Sequence, residues 1–172
     1  DPLMERAAVI EFPVLEDDPY QIDLKKTKVQ LEIHKPELIV LGKSMMIYRE
    51  PLKELAQMIS GMHPKPILLY DMAHVLGLAG PYYQEPFKEG VDIVTSSTHK
   101  TFFGSQRGII ASNMSEGTEY EDVWETILKR VFPGSVSNHH LGTLLSLLMA
   151  AYEMNAFKSE YQKAVISNAK AF

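Results

Sequence analysis

The stretch that decides the fold is Ile67-Leu68-Leu69-Tyr70-Asp71-Met72-Ala73-His74, in which four apolar residues are followed at once by a polar cluster. The run follows the Pro64-Lys65-Pro66 break, and it is short and continuously apolar rather than periodic. Such a run is typical of a strand that is buried on both faces of a sheet. The polar residues then lie at the carboxyl end of that strand, where parallel sheets bind their ligands.

Other short apolar runs, at residues 9–12, 38–41, 91–94 and 108–111, predict further strands. Between and after them, helical spacing of apolar residues predicts helices over residues 24–34, 51–62, 120–131 and 141–155, the first of them capped by Asp23. Strands that alternate with helices indicate an α/β fold with a mostly parallel sheet flanked by helices. We find no linker within the 172 residues and predict a single α/β domain over residues 1–172.

Composition and charge exclude several classes of function. The chain has no cysteine, which excludes disulfides, thiolate metal sites and a cysteine nucleophile. Its formal charge of −5 does not suit a nucleic-acid binder. No targeting signal is visible, and the longest apolar stretch, residues 141–151, is far shorter than the roughly 20 residues of a membrane span. We therefore expect a cytoplasmic protein that contacts neither nucleic acid nor membrane.

The candidate chemistry lies at two predicted strand ends, in residues 71–74 and 96–101. A lysine in such a place, here Lys100, can act as a nucleophile toward a carbonyl group. An aspartate at a neighbouring strand end, here Asp71, can keep the ring nitrogen of pyridoxal phosphate protonated. His74 can serve the same site, and nearby hydroxyl groups suit phosphate or phenolate oxygens (Ser97, Thr98 and Thr101). Each residue also has a structural alternative. An aspartate at a strand end is often a helix cap, and a single lysine is usually a solvated surface charge.

The pair His139-His140 raises the question of a metal site. Adjacent residues on a helix point about 100° apart, and no Asp, Glu or His follows at three or four positions. We expect polar contacts at a helix N-terminus and no metal.

Two motifs resemble those of serine hydroxymethyltransferases: Tyr70-Asp71-Met72-Ala73-His74 and Ser97-Thr98-His99-Lys100-Thr101. Their order and the 29-residue spacing of Asp71 and Lys100 fit that family. Three further segments are similar to it as well: a strand ending in a Gly-x-Ser at 35–44, residues 85–94, and Val-Phe-Pro-Gly at 131–134. The similarity extends from about Val9 to the C-terminus.

The resemblance implies a fold-type I enzyme with pyridoxal 5'-phosphate as cofactor, which acts on the Cα–Cβ bond of β-hydroxy amino acids. Lys100 would hold the cofactor as a Schiff base, Asp71 would pair with the pyridinium nitrogen, and His74 would complete the catalytic set. Ser44 would lie with His74 near the phenolate oxygen, and Ser97, Thr98 and His99 would lie against the cofactor beside the lysine. In the family the Phe-Pro-Gly loop reaches the cofactor phosphate of the neighbouring subunit, which implies a homodimer.

Two segments depart from the family pattern. Gly104-Ser105-Gln106-Arg107-Gly108 replaces Gly-Pro-Arg-Gly-Gly, and residues 136–140 replace Gln-Gly-Gly-Pro. Both changes resemble divergent archaeal-type members and threonine transaldolases, so they bear on the folate substrate more than on the cofactor. A threonine aldolase or transaldolase is the alternative activity.

The family's N-terminal segment and its C-terminal small domain do not fit within 172 residues. The resemblance therefore implies that residues 1–172 form part of the cofactor-binding large domain. A non-catalytic truncated chain that needs the missing segments is the third hypothesis.

Overall fold

The structure is a computed structural model that describes residues 8–114, 117 and 119–172. Its elements follow in chain order: α1 (Leu24–His34), β1 (Leu38–Leu41), α2 (Leu52–Ile59), β2 (Ile67–Asp71), a 3-10 turn (Leu76–Leu78), β3 (Ile93–His99), β4 (Phe103–Ser112), α3 (Glu121–Lys129), a kinked segment (Arg130–Ser135) in which Phe132 is extended, and α4 (Leu141–Ala171).

The four strands form one sheet in the order β1-β2-β3-β4. The first three strands are parallel, and β4 runs antiparallel to β3. Only residues 100–102 separate β3 from β4. A link this short can only form a hairpin, because a parallel return needs a crossover of about a dozen residues or more. The predicted mostly parallel α/β sheet is confirmed, with one antiparallel edge strand.

The hydrophobic core lies on one face of the sheet. There α2 presents Leu52, Leu55 and Ile59, all fully buried, because their spacing places them on a single helix face. They belong to one cluster with buried residues of β1 and β2 (Ile39, Leu41, Leu68 and Tyr70). Burying each such apolar side chain contributes about 1.5–3 kcal/mol. This packing fixes the positions of the strand ends that carry the polar clusters.

The opposite face of the sheet is largely open among the described residues. Leu38 and Val40 of β1 are 41% and 48% exposed, and Ile110 of β4 is 40% exposed. The register places Val40 opposite Leu69, and Ile110 opposite Thr95. Parallel strands are usually covered on both faces. Asp71 and Thr95 share this open face, since they pair directly across β2 and β3.

Helix α1 begins and ends where the sequence predicts. Asp23 accepts hydrogen bonds from the backbone amides of Lys25 and Lys26, each at 3.0 Å. These bonds, that to Lys26 above all, lower the pKa of Asp23. The predicted N-terminal cap is therefore confirmed.

Several predicted elements differ from the structure, among them β4, which begins at Phe103 and not at residue 108. Residues 9–12 form no strand, and Val9 and Ile10 are exposed; nearby, Val14 makes only an isolated bridge to Ile22. Strand β3 starts at Ile93 and continues to His99, well past the predicted end at residue 94. Helix α4 continues to Ala171 rather than ending near residue 155.

Helix α4 packs along β4 through polar as well as apolar contacts. Ser105 donates its hydroxyl to the carbonyl oxygen of Thr143 at 2.6 Å, and Arg107 donates to the carbonyl oxygen of His140 and to the hydroxyl of Thr143. His139 stacks on the ring of Phe132, with centroids 5.5 Å apart. None of the helices in the described part of the chain combines the length and apolar character that a bilayer span requires.

Candidate functional site

Asp71 is the last residue of β2, and both of its carboxylate oxygens are held. Oδ1 accepts the backbone N–H of Ala73 at 2.9 Å, and Oδ2 accepts the hydroxyl of Thr95 at 3.0 Å. The first bond is the local turn that strand-end aspartates commonly make. The second crosses to the next strand and fixes the orientation of the carboxylate, which remains exposed.

Lys100 lies in the link that follows β3, and its side chain is exposed. Its Nζ donates to Oγ of Ser97 at 3.0 Å, and Ser97 donates in turn to the carbonyl oxygen of Ala73 at 3.1 Å. Lys100 forms no salt bridge with any carboxylate of the described residues. The amine is therefore tied to the loop after Asp71 without being neutralised by an acid.

The extension of β3 to His99 decides which side chains reach this face. Because side chains alternate along a strand, Thr95 and Ser97 share the face of Asp71, whereas Ser96 and Thr98 point to the opposite face. Thr98 is fully buried, and its hydroxyl donates to the carbonyl oxygens of Ser105 at 2.6 Å and Arg107 at 3.2 Å. The structure thus brings Asp71, Ser97 and Lys100 together and places Thr98 away from them.

His74 and His99 flank the same region. His74 is half-buried, and its carbonyl oxygen accepts the hydroxyl of Thr101 at 2.8 Å, which ties its loop to the residue after the lysine. His99 is exposed and pairs with Phe103 across the hairpin.

Ser44 is exposed in the bend after β1, and glycine at position 42 permits the close approach of this bend to β2. Gly42 has a φ of +126°, and a Cβ atom there would lie 2.2 Å from the carbonyl oxygen of Asp71. Only glycine fits such a contact. The Gly-x-Ser of the sequence therefore brings the loop of Ser44 against the end of β2.

The segment that follows Ser44 ends at Glu50, which belongs to a buried polar network with Gln84 and Tyr70. No sequence pattern indicates this network. Gln84 accepts the backbone N–H of Glu50 at 3.2 Å and donates to the carbonyl oxygen of Glu50 at 2.8 Å. The hydroxyl of Tyr70 also donates to Gln84, at 3.3 Å. The carboxylate of Glu50 is buried and pairs with Lys43 at 3.3 Å. Burial raises the pKa of Glu50, and it raises that of the Tyr70 hydroxyl as well.

Thr95 is the site residue that sequence reasoning missed. It stands two positions before Ser97, so strand alternation would have placed it on the same face if the true length of β3 had been known. Its pairing with Asp71 depends on the register of two strands, which the sequence alone does not define.

A lysine beside an oriented aspartate, at adjacent carboxyl ends of a mostly parallel sheet, defines an α/β protein with a ligand site at its strand ends. Residues 8–172 match the family model described as serine hydroxymethyltransferase. The chain therefore belongs to the serine hydroxymethyltransferase family.

Individual relatives agree with this assignment. The chain is 43% identical over 164 residues to the serine hydroxymethyltransferase of Archaeoglobus fulgidus, a match that covers 95% of this chain and 35% of that protein. It is 41% identical over 167 residues to the enzyme of the same name from Korarchaeum cryptofilum, with 96% and 37% covered. The chain thus spans little more than a third of the length of these relatives.

A solved structure with a similar fold is the L-threonine transaldolase from Pseudomonas fluorescens in its internal aldimine state. The TM-score is 0.82 at 29% sequence identity, and the match covers 98% of this chain and 37% of that one. Almost all of this chain therefore has the fold of the corresponding part of the transaldolase.

Proposed function

We propose that these residues belong to a pyridoxal-phosphate-dependent serine/glycine hydroxymethyltransferase, which breaks and forms the Cα–Cβ bond of β-hydroxy amino acids. One observation carries the proposal: the Lys100 amine and the Asp71 carboxylate are each oriented by hydrogen bonds at neighbouring strand ends. The names of the relatives and the internal aldimine of the structural neighbour support it.

The donor set fits the cofactor. Lys100, an exposed primary amine without an acidic partner among the described residues, would be the residue that holds the cofactor through its aldehyde group. An exposed carboxylate, held by two donors, suits a protonated ring nitrogen. The open face of the sheet leaves both groups accessible.

When bound, pyridoxal phosphate supplies the electron sink for the negative charge that develops at the substrate Cα. The Asp71 carboxylate would keep the ring nitrogen of the cofactor protonated, which favours the uptake of electrons by the ring. Ser97 orients Nζ of Lys100, which in turn can move a proton at the Cα atom. His74, His99 and Ser44 occupy loops at the rim of the same site, and we propose them as cofactor contacts. Thr98 has no place in this set, because its side chain is buried on the other face.

We further propose that the protein acts as a homodimer. Residues 132–140, which include the Phe-Pro-Gly, are exposed throughout. The outward face of α4 carries apolar side chains that are more than half exposed: Leu141, Leu145, Leu148, Met149 and Tyr152. A second subunit would cover such a surface. We place the protein in the cytoplasm, with an amino acid as substrate and a folate as the one-carbon partner.

A threonine aldolase or transaldolase is the second candidate activity. The structural neighbour with a TM-score of 0.82 is an L-threonine transaldolase, and Gln106-Arg107 stands in the segment that departs from the hydroxymethyltransferase pattern. Turnover of serine with tetrahydrofolate supports the first activity. Turnover of threonine with an aldehyde acceptor, and none of serine with folate, would select the second.

The direct test is to add pyridoxal phosphate to the full-length protein, reduce with borohydride and map the modified peptide. We expect the adduct on Lys100, none in a Lys100→Arg variant, and an unchanged yield in Lys53→Arg, a control at an exposed lysine of α2. Attachment at another lysine, or no adduct in the full-length protein, would refute the proposal. The third hypothesis is tested by comparing residues 1–172 with a chain extended to the length of the relatives. An adduct in the extended chain and none in residues 1–172 would support that hypothesis, and an adduct in both would reject it.

A further inference from the structure

Two adjacent residues of α4 each bind the main chain of a different loop of the site. Tyr161 donates its hydroxyl to the carbonyl oxygen of Thr101, the residue directly after Lys100. Gln162 donates from Nε2 to the carbonyl oxygens of Gly77 and Ala79, both at 3.0 Å. These partners lie 60 to 85 positions earlier in the chain. A single turn of α4 therefore clamps the lysine link and the loop that follows His74.

The two loops also contact each other directly. The hydroxyl of Thr101 accepts the backbone N–H of Gly77 at 3.2 Å and donates to the carbonyl oxygen of His74 at 2.8 Å. A Cβ atom on Gly77 would lie 2.1 Å from the carbonyl oxygen of Thr101, so the two backbones are in contact. Tyr161 and Gln162 thus hold a preformed junction from the side of the helix.

Packing alone does not account for these two side chains. Gln162 is 1% exposed, and its Oε1 has no hydrogen-bond partner among the described residues. An apolar side chain of similar size would avoid the cost of burying an oxygen without a hydrogen-bond partner. What the amide supplies in return is a pair of bonds to the carbonyl oxygens of Gly77 and Ala79. Tyr161 packs its ring edge-on against Phe103, with centroids 5.3 Å apart, and its hydroxyl adds a bond that a phenylalanine would lack.

We propose that Tyr161 and Gln162 are positioning residues for Lys100. They hold the main chain on either side of the site so that Nζ and the loop of Asp71 and His74 keep a fixed relation before the cofactor binds. The role rests on the proposed function, because it takes Lys100 as the residue that holds pyridoxal phosphate. Neither side chain touches the cofactor itself in this role, and both act through main-chain atoms.

The experiment compares the full-length protein with Tyr161→Phe and Gln162→Met, which keep side-chain size and remove the hydrogen bonds. Tyr20→Phe is the control, because Tyr20 lies outside α4 and both site loops and is 40% exposed. Hydrogen–deuterium exchange of the apoprotein is followed in residues 98–104 and 74–80, with residues 38–41 of β1 as an internal reference. The Kd for pyridoxal phosphate is measured in parallel.

We expect Tyr161→Phe to speed exchange in residues 98–104 about fivefold and to raise the Kd about fivefold, the effect of one net hydrogen bond. Gln162→Met should act in the same way on residues 74–80. Exchange in residues 38–41 should not change in either variant, and Tyr20→Phe should change neither the exchange rates nor the Kd. Faster exchange throughout the protein, or faster exchange of the loops with an unchanged Kd, would overturn the proposal and leave a purely structural contact. If the proposed function is wrong, the unmodified protein will form no adduct on Lys100. The exchange rates are measured on the apoprotein and do not depend on that adduct, so the two failures can be told apart.

Discussion

Asp71 and Thr95 stand opposite each other in the parallel register of β2 and β3, and the hydroxyl of Thr95 donates to Oδ2 of Asp71 at 3.0 Å. The backbone N–H of Ala73 holds the other oxygen. The carboxylate is therefore oriented by the protein before any ligand arrives, which lowers the ordering cost of binding.

Replacing Thr95 with valine removes this donor and keeps the shape of the side chain. We expect Thr95→Val to raise the Kd for pyridoxal phosphate about fivefold, because one hydrogen bond that orients Asp71 is lost. The free energy of unfolding should change by no more than about 1 kcal/mol. Fluorescence titration of the full-length apoprotein with the cofactor measures the first effect. Thr126→Val, at an exposed position of α3, should bind as the unmodified protein does; equal affinities for all three would contradict the role given to Thr95.

Ser97 and Thr98 are neighbours on opposite faces of β3. We expect a Ser97 variant to affect the reaction with the cofactor, and a Thr98 variant to affect the stability of the fold. Ser97→Ala removes the acceptor of the Lys100 amine and one bond to the carbonyl oxygen of Ala73. We therefore expect slower borohydride-trapped adduct formation and a smaller loss of stability than in Thr98→Val. Thr98→Val removes bonds to the carbonyl oxygens of Ser105 and Arg107 and should cost about 2 kcal/mol of stability without changing cofactor affinity. Urea unfolding and adduct kinetics of both variants test the division; the reverse pattern would mean that the two faces are assigned the wrong way round.

Gly77 is the position where the two site loops have no room for a side chain. We expect Gly77→Ala to lower the free energy of unfolding by about 3 kcal/mol, since its Cβ atom would overlap the carbonyl group of Thr101. Gly61→Ala is the control, because nothing lies within 4 Å of a Cβ atom there. Its effect should stay within about 0.5 kcal/mol. Chemical denaturation measures both, and similar losses in the two variants would show that the loops are not in contact.

Glu50 predicts a pH dependence of stability. Burial raises its pKa in the folded protein above the ordinary value of 4.5, and Lys43 offsets this only in part. The folded state then binds more protons than the unfolded state between the two pKa values. Stability from this group is complete below pH 4.5 and is lost as the pH rises through the folded pKa.

The variant Glu50→Gln is uncharged at every pH and keeps the main-chain bonds to Gln84. Its free energy of unfolding should fall less than that of the unmodified protein as the pH rises from 4.5. Urea titrations across this range give the difference. Glu32→Gln, at an exposed position of α1, should follow the unmodified protein. Parallel curves for Glu50→Gln and the unmodified protein would mean that burial does not disfavour the charged form.

The sequence was informative about the fold where a pattern depends on neighbours in the chain. Residues 24–34 were predicted as a helix with Asp23 as its cap, and the structure agrees at both ends. The run at residues 67–70 was predicted as a buried strand and is one. The run at residues 9–12 had the same apolar character, but no partner strand pairs with it, and composition alone does not reveal that.

The site was predictable in its residue types and less so in its geometry. The sequence predicts Lys100, Asp71 and Ser97 as site residues because their motifs resemble those of a family. The direction in which Ser97 and Thr98 point depends on whether β3 ends at residue 94 or at His99. The end of β3 cannot be read from the sequence, because the apolar run stops at residue 94 and the strand continues through polar residues. The contacts of Tyr161, Gln162 and Gln84 join distant parts of the chain, so no local pattern could indicate them.

The short link between β3 and β4 also has a consequence for the order of folding. His99 and Phe103 pair across it at a separation of four residues, whereas β1 and β2 must close a crossover through α2 before they pair. Hairpins form within about 1–10 μs, and pairings between distant strands form more slowly. In refolding of the complete chain, the turn of Lys100 therefore closes early, whereas Tyr161 must reach Thr101 across 60 residues. We expect the lysine link to be the first part of the site to take shape and the last to become rigid.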